Sequence, residues 1–177
     1  GCLDKPSSGE YLFNGISVGD LNRNQMALLR RTYLGFVFQS FNLLGRTSAL
    51  ENVELPLVYR KIPAKERKKL AFEALSKVGL QSVVNNTPAQ LSGGQQQRVA
   101  IARAIVSSPL VLLADEPTGN LDSIKSIEIM NLLKQLNEDE NITVIMVTHE
   151  EEMAAFANRI IYFRDGHIED NLKKGFK

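Results

Sequence analysis

Three apolar runs, each about the length of one β-strand, constrain the fold of this chain more than any other feature. They occupy residues 34–39, 110–114 and 143–147. Continuous apolar runs of this length are typical of strands buried on both faces of a parallel sheet. Because stretches with helical patterning separate the runs, the sequence predicts an α/β fold with a mostly parallel sheet, flanking helices and right-handed crossovers.

Helical signals fill the intervals between these strands. Residues 63–78 carry one apolar face and are followed by Gly79, which can end a helix. Residues 92–106 read as a second helix that opens with glycines. Asp122-Ser123 can cap a third helix, which we expect to run to about Leu136.

The domain organisation follows from the length and from one break in the pattern. A chain of 177 residues without internal repeats or a low-complexity linker fits one domain, over residues 1–177. The region 43–84 interrupts the alternation of strand and helix and is mainly helical. We therefore expect a helical subdomain at about residues 43–106, on the edge of the sheet.

Two hairpins are predicted outside this sheet. Asn14-Gly15 follows the strand-like residues 10–13, and Asp165-Gly166 separates residues 160–163 from residues 167–169. Both dipeptides favour the tight turns that join antiparallel strands.

The composition excludes several classes of protein. The chain has 21 Lys and Arg against 20 Asp and Glu, a balance that does not suggest a nucleic-acid-binding surface. One cysteine, Cys2, rules out an internal disulfide and is the natural pattern of a reducing compartment. No apolar run approaches the roughly 18 residues that a membrane-spanning helix needs. No signal peptide is visible either, so we expect any work at a membrane to depend on a partner.

Two adjacent acidic residues, Asp115 and Glu116, directly follow the apolar run 110–114. An apolar strand ending in two acids places both carboxylates at the carboxyl edge of the sheet, where open α/β folds bind their ligands. One acid can orient Mg²⁺ and the next can accept a proton from an attacking water. The alternative is a strand followed by a polar turn with capping acids.

The segment Ser92-Gly93-Gly94-Gln95 is a candidate phosphate-binding turn. Ser92 can cap the following helix, and the two glycines let backbone N–H groups approach an anion without obstruction. The positive end of the helix dipole adds to that attraction. A Gly-Gly turn before a helix is nevertheless common and usually has no ligand.

Gln39 and His149 each follow a predicted strand, so both should reach the same sheet edge as the acidic pair. The amide oxygen of Gln39 can bind a metal or a water, and a neutral ring N–H of His149 can donate to a γ-phosphate. A single Gln or His at a strand end is more often structural. Leu121-Asp122 can shape the far wall of the site or simply cap a helix, and the two roles are compatible.

Five segments together are far more specific than any one of them. In chain order they are Gln39, Leu91-Ser92-Gly93-Gly94-Gln95, Leu112-Leu113-Ala114-Asp115-Glu116-Pro117-Thr118, Leu121-Asp122 and His149. This order resembles the ATPase domain of ABC transporters, in which the segments are the Q-loop, the signature motif, the Walker B strand with its catalytic Glu, the D-loop and the H-loop. The resemblance covers essentially the whole chain. Residues 36–44 and 117–122 are most similar to the lipoprotein-release and macrolide-export type.

One motif of that family is not found. No lysine of the chain follows a glycine, so the P-loop pattern G-x-x-x-x-G-K-[ST] does not occur. The family's upstream aromatic residue, which stacks on adenine, has no counterpart either. By resemblance, residues 1–3 match the segment just after the helix that follows the P-loop. The resemblance thus implies a P-loop NTPase-like fold whose N-terminal strands and P-loop lie outside this chain. We expect an active parent enzyme and a chain that is catalytically incompetent by itself.

The resemblance also implies roles for the site residues, with ATP and Mg²⁺ as cofactors. Glu116 would be the general base, and His149 would hold the γ-phosphate. Gln39 and Asp115 would bind the metal, and Gln39 would also link the site to the membrane partner. The remaining nucleotide-binding residues implied are Ser92, Gly93, Gly94, Gln95 and Asp122.

Partners and location follow from the same resemblance. Two ATPase domains would sandwich two ATP molecules, so we expect a homodimer. A membrane permease domain or subunit would dock on the helical segment around residues 51–59. The protein would be peripheral, at the cytoplasmic face of the cell membrane, without a nucleic-acid partner.

Two alternatives belong to other classes. ABC-type ATPases of DNA repair share these motifs but insert a long coiled coil between the Q-loop and the signature. Here the stretch from Gln39 to Leu91 is short and has no sustained heptads. A non-catalytic binding module would predict loss of Glu116 or His149, and both are present.

Overall fold

The structure, a computed structural model, describes residues 1–169. A 3₁₀ turn at Pro88–Gln90 lies between the third and fourth helices. In chain order the strands and helices are β1 (Leu12–Phe13), β2 (Ile16–Ser17), α1 (Arg23–Tyr33), β3 (Leu34–Phe38), α2 (Ala49–Tyr59), α3 (Ala64–Lys77), α4 (Gly93–Ile105), β4 (Val111–Asp115), α5 (Ser123–Glu140), β5 (Thr143–Val147), α6 (Glu151–Ala154), β6 (Phe163–Arg164) and β7 (His167–Ile168).

A three-stranded parallel sheet in the order β3-β4-β5 forms the centre of the molecule. Phe38, Asp115 and Val147 are in register at the carboxyl ends of the three strands. Helices connect each strand to the next, as parallel pairing requires. The predicted α/β fold with a parallel sheet is confirmed.

The helices cover one face of the sheet and bury the main core. α4 packs against β3 and also against α2, α3 and α5. Leu57, Leu75, Ile101, Leu112 and Ile129 are fully buried where these elements meet. Because α4 contacts the sheet as well as the other helices, the boundary of a helical subdomain at about 43–106 stays a prediction.

Side-chain caps explain where α1, α2, α4 and α5 begin. Ser92 starts α4 and Ser48 starts α2, each with a capping box in which the side chain three positions on returns to the cap N–H. Asp122 caps α5 as predicted, although α5 runs to Glu140 rather than Leu136. Helix α1, which begins with a capping box at Asn22, is not among the predicted helices.

The prediction that the strands are buried on both faces is wrong for the described residues. On one face Leu112 and Ala114 are buried against the helices. On the other face, Val111 and Leu113 are only half-buried, and Ile145 is 52% exposed. The strands are apolar enough to be buried on both faces. Within the described residues, however, the helices cover mainly the face that carries Leu112 and Ala114.

Both predicted hairpins are confirmed. β1 pairs antiparallel with β2, and β6 with β7. Asn14 and Gly15 have φ values of 48° and 79°, and Asp165 and Gly166 have φ values of 48° and 79°. Two successive positive φ angles define the tight hairpin turn that Asn-Gly and Asp-Gly favour. No helix within residues 1–169 is both long and apolar enough to span a bilayer.

Candidate active site

The carboxyl edge of the sheet brings together the residues that follow its three strands. Gln39 directly follows β3, Glu116 directly follows β4, and His149 lies two residues beyond β5. Because these strands are parallel and in register, all three residues emerge at one edge, as predicted. Asp115 is the last residue of β4 and is exposed between Phe38 and Val147.

Glu116 and His149 are in direct contact. Nδ1 of His149 lies 2.7 Å from Oε1 of Glu116, a charge-assisted distance when the ring is protonated. The hydrogen bond and the negative charge of Glu116 raise the pKa of His149 above its ordinary value of 6.5. The imidazole itself is largely exposed, whereas the Glu116 side chain is mostly covered.

This contact changes what His149 can offer to a phosphate. A carboxylate only accepts hydrogen bonds, so Nδ1 of His149 must carry the proton in the pair with Glu116. A neutral ring has a single N–H, which is then committed to Glu116. Donation from Nε2 to a phosphate therefore requires a protonated ring, which the raised pKa favours. The expectation that a neutral His149 ring donates to a phosphate holds only if His149 and Glu116 separate.

Gln39 is directed toward the loop that follows Glu116. A β-carbon placed on Gly119 would lie 2.5 Å from Nε2 of Gln39, so a side chain at this position would displace the amide. Nδ2 of Asn120 donates to the backbone oxygen of Gln39 at 2.9 Å. The loops after β3 and β4 are thus packed together at the edge of the sheet.

The available oxygen ligands fit Mg²⁺ in kind and number. Mg²⁺ prefers oxygen ligands and is usually held by one or two carboxylates together with waters and substrate phosphates. Asp115 offers an exposed carboxylate, and Gln39 offers an amide oxygen from the adjacent strand end. Within residues 1–169 no three His, Cys, Asp or Glu side chains cluster as a self-sufficient metal site. Asp115 and Gln39 therefore offer the kind of oxygen ligands that Mg²⁺ takes in proteins.

The turn Ser92–Gln95 forms a second cluster beside the same loop. Ser92 Oγ accepts from the N–H of Gln95 at 3.3 Å, and Gln95 Oε1 accepts from the N–H of Ser92 at 2.9 Å. A β-carbon on Gly93 would lie 3.4 Å from Leu121, and one on Gly94 would lie 3.2 Å from Lys125. The ring of Phe41 also lies 4.0 Å from the β-carbon position on Gly93. Since the first N–H groups of a helix lack intrahelical acceptors, those of Gly93 and Gly94 remain suited to an anion.

Asp122 acts as a helix cap. Its Oδ1 accepts from the N–H of Lys125 at 3.0 Å, at the start of α5. The structural interpretation of this residue is confirmed. A contribution to nucleotide binding stays a prediction.

Gln97 is fully buried and is not among the predicted site residues. Its Nε2 donates to the backbone oxygen of Pro117 at 2.6 Å, directly after Glu116. A signal existed, because Gln97 lies one turn before Ile101 on the apolar face of the predicted helix. A polar side chain at such a core position needs a hydrogen-bond partner.

Comparisons with known proteins agree with this geometry. The family model described as "ABC transporter" matches residues 2–119. A macrolide export ATP-binding/permease protein, MacB, of Syntrophobacter fumaroxidans is 52% identical over 171 residues, which cover 96% of this chain and 24% of MacB. An uncharacterised ABC transporter ATP-binding protein of Methanocaldococcus jannaschii, MJ0796, is 50% identical over 181 residues.

A solved structure is similar over almost the whole fold. It is a dimeric, post-hydrolysis state of the ATP-binding cassette MJ0796 bound to ADP and Pi, with a TM-score of 0.86 and 47% sequence identity. The match covers 99% of this chain and 77% of that one. The chain thus spans about a quarter of MacB and about three quarters of MJ0796. Fold, sheet edge and sequence identity agree, and the chain belongs to the ATP-binding proteins of the ABC transporter family.

Proposed function

We propose that the protein hydrolyses ATP to power the export or release of a substrate across or from a membrane. The observation that carries the proposal is the single sheet edge where Asp115, the Glu116–His149 pair and Gln39 emerge together. Relatives named for macrolide export and for pyoverdine export support the direction of transport. The family model and these transport relatives favour this function over a DNA-repair ATPase.

The proposed chemistry is phosphoryl transfer to water, which depends on positioning and electrostatics. Glu116 accepts the proton of the attacking water, through Oε2 while Oε1 is paired with His149. His149, once protonated, donates from Nε2 to the terminal phosphate. Asp115 and Gln39 would hold Mg²⁺, which would supply charge neutralisation at the phosphate oxygens.

A second copy of the chain is the proposed partner at the nucleotide. The Ser92–Gln95 turn lies in a separate cluster, beside Leu121, so its free N–H groups suit a nucleotide held by another protomer. The dimeric structure of the M. jannaschii relative supports this arrangement. Each ATP would then lie between the sheet edge of one protomer and the signature turn of its partner.

A membrane permease is the second proposed partner. Val58 and Tyr59 at the end of α2 are exposed apolar residues, with Tyr59 at 70% exposure. Both belong to the segment around residues 51–59 that the sequence analysis predicts as the docking surface. Relatives that combine ATP-binding and permease parts in one protein support this partner. The proposed site of action is the cytoplasmic face of the membrane, where the chain would act as a peripheral subunit.

The test is Glu116→Gln in the natural full-length protein. Without the carboxylate base we expect ATP hydrolysis to fall by about 10²–10⁴-fold, the range of general-base catalysis, while ATP still binds. Phosphate release and calorimetric ATP binding measure the two effects. Because ATP is no longer hydrolysed, the proposed ATP-bound dimer should not dissociate. Sedimentation should therefore also show an ATP-dependent dimer.

The matched control is Glu138→Gln, an exposed glutamate on α5 that pairs only loosely with Lys134 at 3.9 Å. It should hydrolyse ATP at the wild-type rate. Near-normal phosphate release by Glu116→Gln would overturn the proposed function. Absence of hydrolysis in the wild-type full-length protein would favour a non-catalytic binding module instead.

A further inference from the structure

The segment after Gln39 has an unusual backbone. Phe41 and Asn42 are consecutive non-glycine residues with φ values of 58° and 51°. A left-handed conformation is disfavoured for residues with a side chain, and it persists where surrounding contacts hold it. We call residues 40–44 the post-Q turn. Side-chain contacts from α4 hold it in this conformation.

Arg103 of α4 supplies the strongest of these contacts. Its Nη1 donates to the backbone oxygen of Asn42 at 2.6 Å, and its Nη2 donates to the backbone oxygen of Phe41 at 2.8 Å. The planar guanidinium fork therefore spans both carbonyls of the left-handed pair. Arg103 is half-buried, and this burial lowers the pKa of its guanidinium.

The post-Q turn is connected to the candidate active site on both sides. Upstream, the backbone oxygen of Gln39 accepts from Nδ2 of Asn120, in the loop after Glu116. Downstream, the ring of Phe41 reaches to 4.0 Å from where a β-carbon of Gly93 would lie. Gly93 begins α4, the helix that also carries Arg103. Helix α4 therefore meets the post-Q turn at two places, through Arg103 and beside Gly93.

We propose that Arg103 is a positioning residue, whose fork holds the post-Q turn so that Gln39 presents its amide at the sheet edge. This rests on the proposed function, in which Gln39 binds Mg²⁺. Arg103 acts on Gln39 through the backbone carbonyls of Phe41 and Asn42, to which its guanidinium donates. A lysine cannot replace it, because a single ammonium group lacks the paired donors of the fork.

A purely structural role is the alternative. Arg103 could simply fasten α4 to a loop, in which case its loss would weaken the fold without a specific link to Gln39. A double-mutant cycle separates the two interpretations, because residues that act through one another are not additive.

The experiment uses the natural full-length protein with Arg103→Met, Arg103→Lys, Gln39→Ala and the double variant Arg103→Met/Gln39→Ala. We expect Arg103→Met to lower kcat by about tenfold and to raise the half-saturating Mg²⁺ concentration, since misplacing a ligand costs catalysis. Arg103→Lys should resemble Arg103→Met. In the Gln39→Ala background, adding Arg103→Met should change kcat by less than about twofold.

Arg60→Met is the matched control. Arg60 donates from Nη1 to one carbonyl, that of Ser107, at 2.8 Å, and so joins two elements without a fork. Its loss should leave kcat and the Mg²⁺ requirement unchanged. Equal multiplicative losses from Arg103→Met in the wild-type and Gln39→Ala backgrounds would overturn the proposal, as would wild-type kinetics for Arg103→Met.

Hydrogen exchange without nucleotide gives a readout independent of catalysis. The N–H groups of Phe41 and Leu44 are hydrogen-bonded, to the oxygen of Phe38 at 3.2 Å and to Oδ1 of Asn52 at 2.8 Å. Arg103→Met should accelerate exchange across the post-Q turn and leave β4 unchanged. Unchanged exchange in the turn would contradict the proposal. If Gln39→Ala alone had wild-type kinetics, the role of Gln39 in the proposed function would fail, and the catalytic part of this inference with it.

Discussion

Glu116 carries the clearest mark of a functional residue in this chain. Its φ is 44°, although it precedes a proline, and residues before proline are normally extended. Its N–H donates to the oxygen of Val147 at 2.9 Å, and Gln97 holds the following carbonyl, that of Pro117. Strain of this kind persists only when neighbours over-determine it, and it is concentrated at active sites. The backbone therefore directs the carboxylate toward His149.

The pair of Glu116 and His149 gives a prediction at the scale of one residue. Since Glu116 is the largest cause of the raised pKa of His149, Glu116→Gln should lower that pKa toward its ordinary value. NMR titration of the imidazole measures the shift. Glu138→Gln should leave the titration of His149 in place, and an unmoved midpoint in Glu116→Gln would contradict the pairing.

The sign of the linked pH dependence follows from the same shift. The folded state binds the His149 proton more tightly than the unfolded chain does. The stability that the pair contributes is therefore fully present below the ordinary histidine pKa. It is lost as the pH rises through the raised pKa of the folded state.

At the scale of elements, α4 and α5 position the site from its two sides. α4 begins at the signature turn, holds Pro117 through Gln97 and holds the post-Q turn through Arg103. α5 begins where the loop after β4 ends, and Asp122 defines that point. The start of each helix is set by a side-chain cap, so a cap also sets the length of the loop beside it.

The cap of α5 can be tested by stability. Asp122→Ala should cost about 1 kcal/mol of unfolding free energy, because the N–H of Lys125 loses its acceptor. Asp139→Ala, in the last turn of the same helix, is the control. Removing a negative charge from a helix C-terminus should be neutral or slightly stabilising. Chemical denaturation measures both, and equal costs at the two ends would show that Asp122 does not act as a cap.

At the scale of the whole molecule, the sheet has two unlike faces. One is closed by α4 and the helices packed on it. On the other, Gly1 lies against Phe36 and Leu113, while Ile145 and Val147 of β5 are largely exposed. Within the described residues, apolar side chains of the strands are therefore fully buried on one face of the sheet only.

A pair of identical substitutions measures this difference in the chain of 177 residues. Val37 is 0% exposed and Val147 is 62% exposed, and both lie in strands of the same sheet. Val37→Ala should lower the free energy of unfolding by about 2 kcal/mol, through lost burial and a cavity. Val147→Ala should change it by no more than about 0.5 kcal/mol. Similar losses in urea denaturation would mean that the second face is covered in solution.

The sequence by itself determined the three strands of the sheet, both hairpins, the starts of α4 and α5 and the edge at which the site forms. Apolar runs, caps such as Ser92 and Asp122, and Asn-Gly and Asp-Gly turns act over a few residues, so local pattern suffices to predict them. Only the tertiary structure decided which face of the sheet is covered, and that His149 pairs through Nδ1 with Glu116. It also decided that Arg103 holds the loop after Gln39, because contacts between residues far apart in the chain depend on how helices and strands pack, which no local pattern encodes.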